Sequence, residues 1–586
     1  MTRTASPSTG TDDKPASATQ KRAANPLFVS MWSIQALLAH LPLLFPVDPA
    51  SAPSPKSRYR SHYRYLGPQA LLDALQHTTL SEFEIALYLI DFSPLERVLA
   101  QIYVPSHKGQ TPFHPVSMFL CICLRRELNL SWRSLAQLLA GPHGSGWRTL
   151  FGFDESVTPS ASGLRYFFNT VGPSVFDDLC PRYVQMLRHY GLCPEHSTYP
   201  NDPEDRGVTV TQDGMLHPAL SRPSCQLATN SCYQPLAPIG PDSTQTTPEL
   251  EANHNDGPDQ LGQAKPGRAC RARERGLPGC ACDSPACQER CQRASVLDPE
   301  ARFIHYEGHN KDAGTVSASK SSPQAKTKGT DVFGYRSVAE RLLDDRFAVA
   351  WTVRSSLYPA NTDERTIFID RLANLQKALP GLRIGEWIDD AGVGYDHCLE
   401  AIWELGALRM VDIRADASDK DPEACLRRGY DGQGHPLCPH GYRLHSNGYD
   451  YAERRRKWVC RQACRKEPPW RVGGATKEGE TIRAVEGCPY LDGSSTGFVV
   501  NVGRSLPDGS TRLAREIPYG SEEWGKRYGR RNLSESRNGQ IEGMGLKRMH
   551  SYGRLRNGKE MQVADFIINL RTLGRLVREA TNLSDN

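Results

Sequence analysis

The sequence predicts an α/β fold preceded by an all-helical N-terminal domain and interrupted by two Cys-rich insertions. Three observations lead there. Residues from about 65 to 190 place apolar side chains at helical spacing. From Val208 to about 420, strand patterns come first in succession and then alternate with helices. Two segments rich in Cys, Pro and Gly break that alternation. The chain has 586 residues, enough for two to four domains, and 39% hydrophobic with 23% charged residues describes a globular protein.

Residues 1–60 are rich in Ser, Thr, Pro and Lys and read as a disordered tail. The apolar stretch "MWSIQALLAHLPLLFP" is broken by Gln35 and His40 and is too short and mixed to span a bilayer, so no membrane association is expected. The helical domain covers 61–195. In "LNLSWRSLAQLLAGP", Ser131 caps a helix whose Leu135, Leu138 and Leu139 share a face, and Gly141-Pro142 stops it. "TPSASGLRYFFNTVG" follows as a second helix presenting Arg165. The pair is compatible with a helix-turn-helix or with a generic bundle.

The α/β core is expected over 205–219 and 300–420. "GVTVTQDGML" is a β-branched alternating run from Val208 to Thr211 that ends at Asp213 and Gly214. Residues 220–299 form the first insertion. Strands resume in "ARFIHYEG", "VFGYRSVAE" and "RFAVAWTVRS", followed by the amphipathic helix "DERTIFIDRLANLQKAL". "LRIGEWIDDAGVGYDHCLEAIWEL" reads as strand, glycine-bearing turn and helix, and "ALRMVDIRA" as a further strand. Residues 421–500 are the second insertion, and 501–586 a helical part that completes the core.

Net charge is only +5, but it is unevenly spread: Trp524 to Glu560 hold ten Lys or Arg against three Glu. A polyanionic partner is the expectation, because each phosphate contact releases counterions; an ordinary solvated helix is the bland alternative. Within this window Glu535 stands among Arg527, Arg530, Arg531 and Arg537. Tyr528, Arg531 and Glu535 fall at i, i+3 and i+7, one stripe of a helix. Asp213 and Asp390 each follow a strand, where ligands gather in α/β sheets. Three such carboxylates supply the hard oxygens that divalent cations require. No Ser/His/Asp arrangement and no phosphate-cradling glycine loop is evident.

The Tyr-x2-Arg-x3-Glu spacing resembles the signature around the catalytic glutamate of bacterial DDE-type insertion-sequence transposases. "VTVTQDGML" and "WIDDAGVGYDHCLEAIWELGAL" resemble the two aspartate segments of that family. "HPVSMFLCICLRRELNLSWRSLAQLLAG" with "LFGFDESVTPSASGLRYFF" resembles its N-terminal DNA-binding region, and "LKRMHSYGRLRNGKEMQVADFIINLRTLGRL" its ending. The likeness covers most of residues 110–580 outside the insertions.

The resemblance implies a ribonuclease H-like catalytic domain, a mixed sheet flanked by helices. It implies Asp213, Asp390 and Glu535 as catalytic residues holding two Mg²⁺ or Mn²⁺ ions. Tyr528 and Arg531 would touch DNA phosphates, with Arg527, Arg530, Lys547 and Arg165 as further DNA contacts. The partners would be double-stranded DNA, both terminal inverted repeats and target, bound by a homodimer in the bacterial cytoplasm at the nucleoid. A nuclease without strand transfer, or a DNA-binding protein with decayed catalysis, would carry many of the same features. The sequence departs from the family in three ways. Glu542 stands where a lysine is usual and Lys547 lies twelve residues past Glu535; Asp389 competes with Asp390; and the acids are 177 and 145 residues apart.

The chain has 17 cysteines, which a reducing compartment makes candidate metal ligands. In the second insertion Cys438, Cys460, Cys464 and Cys488 form a candidate structural Zn²⁺ set, with His435, His440 or His445 as substitutes. In the first, Cys280, Cys282, Cys287 and Cys291 form a weaker one. Unlinked reduced cysteines are the alternative for both. Cys121, Cys123, Cys180 and Cys398 read as core.

Overall fold

The computed structural model describes residues 39–45, 59–102, 110–155, 157–203, 205–221, 224–225, 294–295, 297–306, 330–414, 416–417, 421–461, 488–489 and 497–583. Most of the expected tail, nearly all of the first insertion and part of the second lie outside them. Among the described residues, no helix is long and apolar enough to cross a membrane.

Among the described residues, eight helices come first: α1 (Gly67–Leu75), α2 (Glu82–Leu89), α3 (Leu95–Leu99), α4 (Pro115–Glu127), α5 (Trp132–Ala140), α6 (Ser145–Phe151), α7 (Ala161–Thr170) and α8 (Pro173–His189). Serines set three of the boundaries, with Ser81 accepting a hydrogen bond from the Glu84 N–H at the start of α2. Ser131 accepts a hydrogen bond from the Ser134 N–H at the start of α5, and Ser160 one from the Gly163 N–H at the start of α7.

The mixed sheet contains β1 (Val208–Pro218), β2 (Arg302–Tyr306), β3 (Thr330–Asp344), β4 (Val349–Pro359), β5 (Ile384–Asp389) and β6 (Leu408–Val411). β1 lies centrally, antiparallel to β3 and parallel to β5; β4 is antiparallel to β3, and β6 parallel to β5. The strand order is therefore β6-β5-β1-β3-β4, with β2 pairing the first residues of β3. Helix α9 (Glu364–Ala378), capped by Asp363, connects β4 to β5, and α10 (Asp396–Glu404) connects β5 to β6. α10 makes the crossover that its parallel neighbours β5 and β6 require, whereas α9 carries the chain from the β4 edge past β3 and β1 to β5.

The second insertion has its own small architecture. After α11 (Pro422–Arg428), strands β7 (His445–Asp450), β8 (Arg455–Val459) and β9 (Val499–Val502) make an antiparallel sheet in that order. Tyr430, Cys438, Leu444, Trp458, Val502 and Leu513 form a separate core there. The unit thus extends past residue 500. Three helices end the chain: α12 (Glu522–Tyr528), α13 (Asn532–Gly543) and the 30-residue α14 (Arg554–Leu583).

The helical region does not own a separate core. One apolar cluster joins Phe119 of α4, Tyr183 of α8, Trp351 of β4 and Phe566 of α14. Polar contacts follow the same route. Glu560 on α14 is buried between Arg125 and Arg126 of α4, and the Asn569 amide bonds the N–H and C=O of Thr352. Where α14 crosses α2, only glycine fits at position 574, because a Cβ there would stand 1.8 Å from the Glu82 carbonyl oxygen. So the helices of 61–195, expected as a helical domain, form one side of a shared interior.

Candidate active site

Asp213 and Asp390 are brought together by strand register. Thr211 of β1 pairs with Ile388 of β5 in a parallel ladder, so two residues further along each chain the acids emerge side by side. Asp389, the last residue of β5, turns to the opposite face. It is buried and accepts hydrogen bonds from Trp387 Nε1 (3.3 Å) and from the Asp390 N–H (2.8 Å). Asp390 is half-exposed; its Oδ1 accepts from the Gly392 N–H at 2.7 Å, capping the turn at Ala391–Val393 and leaving Oδ2 outward. Of the two aspartates, Asp390 is the exposed one and Asp389 the buried one. Glu364, paired with Arg336, fills the space a side chain at Gly392 would need.

Glu535 comes from α13, which two buried arginines fix in place. Arg537 pairs with Asp565 of α14 (2.5 and 2.8 Å), and Arg341 of β3 donates to the carbonyls of Leu533 (2.9 Å) and Ser534 (3.1 Å). Tyr528, Arg531 and Glu535 do not lie on one unbroken helix. α12 ends at Tyr528, a 3₁₀ turn spans Gly529–Arg531, and α13 begins at Asn532.

Arg531, the last residue of that turn, lies among the three acids. Its Nη2 lies 3.5 Å from Asp213 Oδ1 and 3.6 Å from Asp390 Oδ2, and its Nη1 lies 2.9 Å from Glu535 Oε1. One guanidinium thus touches all three candidate carboxylates. Burial works against its charge, but Asp390 and Asp213 outweigh that and hold its pKa above the ordinary value. Asp213 is only 8% exposed; burial pushes its carboxyl up and Arg531 pulls it down, with a net rise. Burial also raises Asp389, well above the ordinary carboxyl value, and Asp390 beside it adds to the rise.

The other basic residues divide into two groups. Arg527 and Arg530 are buried. Arg527 pairs with Asp202 and with Glu386 (3.4 Å), and Arg530 with Asp345 (2.9 Å) and Glu386. Both guanidinium groups also lie over the Tyr199 ring, at 4.0 and 4.4 Å. Their charge is spent inside the protein, contrary to the expected phosphate contacts, because three acids remote in sequence surround them. Arg165 is exposed on α7, and Lys547 is exposed beside Glu542 at 3.1 Å. Tyr528 is half-buried and stacks on Trp524, with ring centroids 4.4 Å apart.

Two residues near the site escaped the sequence reading. Asn538 donates from Nδ2 to Asp213 Oδ2 at 2.8 Å; it sits one turn past Glu535, a spacing that was there to be read. Asp412 follows β6 as Asp390 follows β5, and accepts from the Tyr519 hydroxyl at 2.5 Å and the Ile413 N–H at 2.8 Å.

Among the described residues, no three His, Cys, Asp or Glu side chains stand close enough to close on an ion as they are. At the triad, the arginine occupies the middle. The donor set is nevertheless all carboxylate oxygen around a position that a cation already fills, which suits a hard divalent ion. Of the thiols, Cys438 and Cys488 are buried, and Cys460, which directly follows β8, is partly buried. Cys464 and all four cysteines of the first insertion's set lie outside the described residues. His435 has both ring nitrogens engaged, by Asp431 (3.3 Å) and the Tyr519 carbonyl (3.0 Å).

Compared with protein-family models, curated proteins and solved structures, the chain matches none.

Proposed function

We propose that the protein is a metal-dependent DNA transposase of the DDE type, built on a ribonuclease H-like core. One observation carries the reading: Asp213, Asp390 and Glu535, from three separate parts of the chain, converge on a single guanidinium. The sheet supports it, with a central first strand, two antiparallel strands on one side and two parallel strands on the other.

In this reading Asp213, Asp390 and Glu535 would hold Mg²⁺ or Mn²⁺, which would supply Lewis-acid activation of the attacking oxygen and stabilisation of the leaving one. The rest falls to the chain. Arg531 leaves the carboxylates and turns its charge toward a DNA phosphate, and Tyr528 shields the same edge. Lys547 and Arg165 meet the DNA further out. Catalysis is positioning and charge neutralisation, with no covalent enzyme intermediate. The protein acts as a homodimer on the terminal inverted repeats. A Zn²⁺ held by Cys438, Cys460, Cys464 and Cys488 would stiffen the second insertion.

Excision from a plasmid carrying the gene's own flanking DNA tests the reading, with wild type compared to Glu535→Gln. Excision by wild type alone is expected. Excision by both removes Glu535 from the catalytic set. Cutting without joining indicates a nuclease, and binding of the flanks without cutting indicates a DNA-binding protein.

A further inference from the structure

We propose that Asn538 is a positioning residue for Asp213. Its side-chain amide holds one carboxylate oxygen so that the other stays turned toward the space shared with Asp390 and Glu535. The inference rests on the reading of that space as a cation site.

The two oxygens of Asp213 have different partners. Oδ2 accepts from Asn538 Nδ2 at 2.8 Å, within ordinary hydrogen-bond range, whereas Oδ1 stands 3.5 Å from Arg531 Nη2, at its outer limit. The short contact fixes the carboxylate's rotation; the long one leaves Oδ1 available. Asn538 is itself oriented from the other side, because its Oδ1 faces Arg537 Nη1 at 3.5 Å. Arginine only donates and a carboxylate only accepts, so the amide presents its carbonyl to one and its NH₂ to the other. Arg537 is locked to Asp565, which carries the chain of constraint into α14.

The choice of side chain suits the task. A lysine or arginine at 538 would orient Asp213 equally well but cancel the charge that draws a cation. A neutral amide orients without neutralising. Such outer partners of metal-binding carboxylates typically change metal affinity by 10- to 100-fold when removed.

The test is calorimetric titration of the full chain with Mn²⁺, paired with thermal unfolding in chelator. Wild type is compared with Asn538→Ala, Asn538→Leu, Asp213→Asn and the double variant Asp213→Asn with Asn538→Ala. The expected result is Mn²⁺ binding weakened about 10- to 100-fold in both Asn538 variants, with metal-free unfolding midpoints close to wild type. In the Asp213→Asn background, Asn538→Ala is expected to change nothing further. Unchanged Mn²⁺ affinity in folded Asn538→Ala and Asn538→Leu overturns the proposal, as does an equal loss in the Asp213→Asn background. Absence of Mn²⁺ heat in wild type overturns the cation-site reading itself, and this inference with it.

Discussion

Arg531 and Asp213 stand 3.5 Å apart, Nη2 to Oδ1, with the arginine in the position a shared cation would take. An arginine there and a divalent ion compete for the same oxygens. Arg531→Gln is therefore expected to tighten Mn²⁺ binding by about tenfold, equivalent to ~1.4 kcal/mol, while lowering the metal-free unfolding midpoint. Excision would fall at the same time, because the phosphate loses its partner. Mn²⁺ affinity that is unchanged or weaker in Arg531→Gln would show that the two cations do not compete.

Glu386 is fully buried and serves Arg527, Arg530 and the Thr209 hydroxyl together. Glu386→Gln leaves Arg527 with Asp202 and Arg530 with Asp345 but removes the carboxylate they share, so a loss of about 2–4 kcal/mol in denaturant unfolding is expected, less than for stranding a buried charge outright. Because the cluster is screened little, the loss should persist in high salt. A loss under about 1 kcal/mol would mean that α12 is anchored by something else.

His217 on β1 is held between the Leu546 carbonyl and the Ser337 hydroxyl, each at 2.7 Å. Burial, reinforced by Arg537, pushes its pKa down to about 4 from an ordinary 6.5. The unfolded chain then binds a proton that the folded one refuses across that interval. This contribution is complete above pH 6.5 and is lost progressively as pH falls to about 4, a total of about 3 kcal/mol. Unfolding free energy measured from pH 7 to 4 should show this slope in wild type and lose it in His217→Gln.

On α7, Ser162, Arg165, Tyr166 and Asn169 form an exposed stripe at helical spacing. If this helix enters the major groove, Arg165→Ala should cost about 1–3 kcal/mol of binding to the flanking DNA and relax preference at one base position. Should it touch only phosphate, the salt dependence should drop by about one unit with no change in preference. Equal binding by both proteins would move the DNA interface elsewhere.

Much of this site could be read from local pattern. Asp390 follows an apolar strand as its pattern implies, but Asp213 does not end one: β1 runs on to Pro218 beside β3, and it is only the pairing with β5 that stops at Thr211. Glu535 was marked by charge contrast with its neighbours. The missing part is non-local. Arg527 and Arg530 look as solvated as Arg531 in the sequence, and only folding brings Asp202, Asp345 and Glu386 to them from 141 to 325 positions away. The 3₁₀ turn at Gly529–Arg531 carries no strong local signal either, since helical spacing runs through it. Nor does amphipathic pattern tell which core a helix joins, which is why the helical region looked independent.

The contact of α14 with α2, α4, α8 and β4 has a consequence in time. When α8 leaves the ribosome, the apolar faces of the early helices still lack the helix that covers them. Roughly 365 further residues must be made before α14 begins, about 20–70 s of synthesis at ordinary rates. The nascent chain therefore carries an uncovered apolar surface until α14 emerges. A message truncated before codon 554 should yield not a free DNA-binding fragment but an aggregate or a chaperone client.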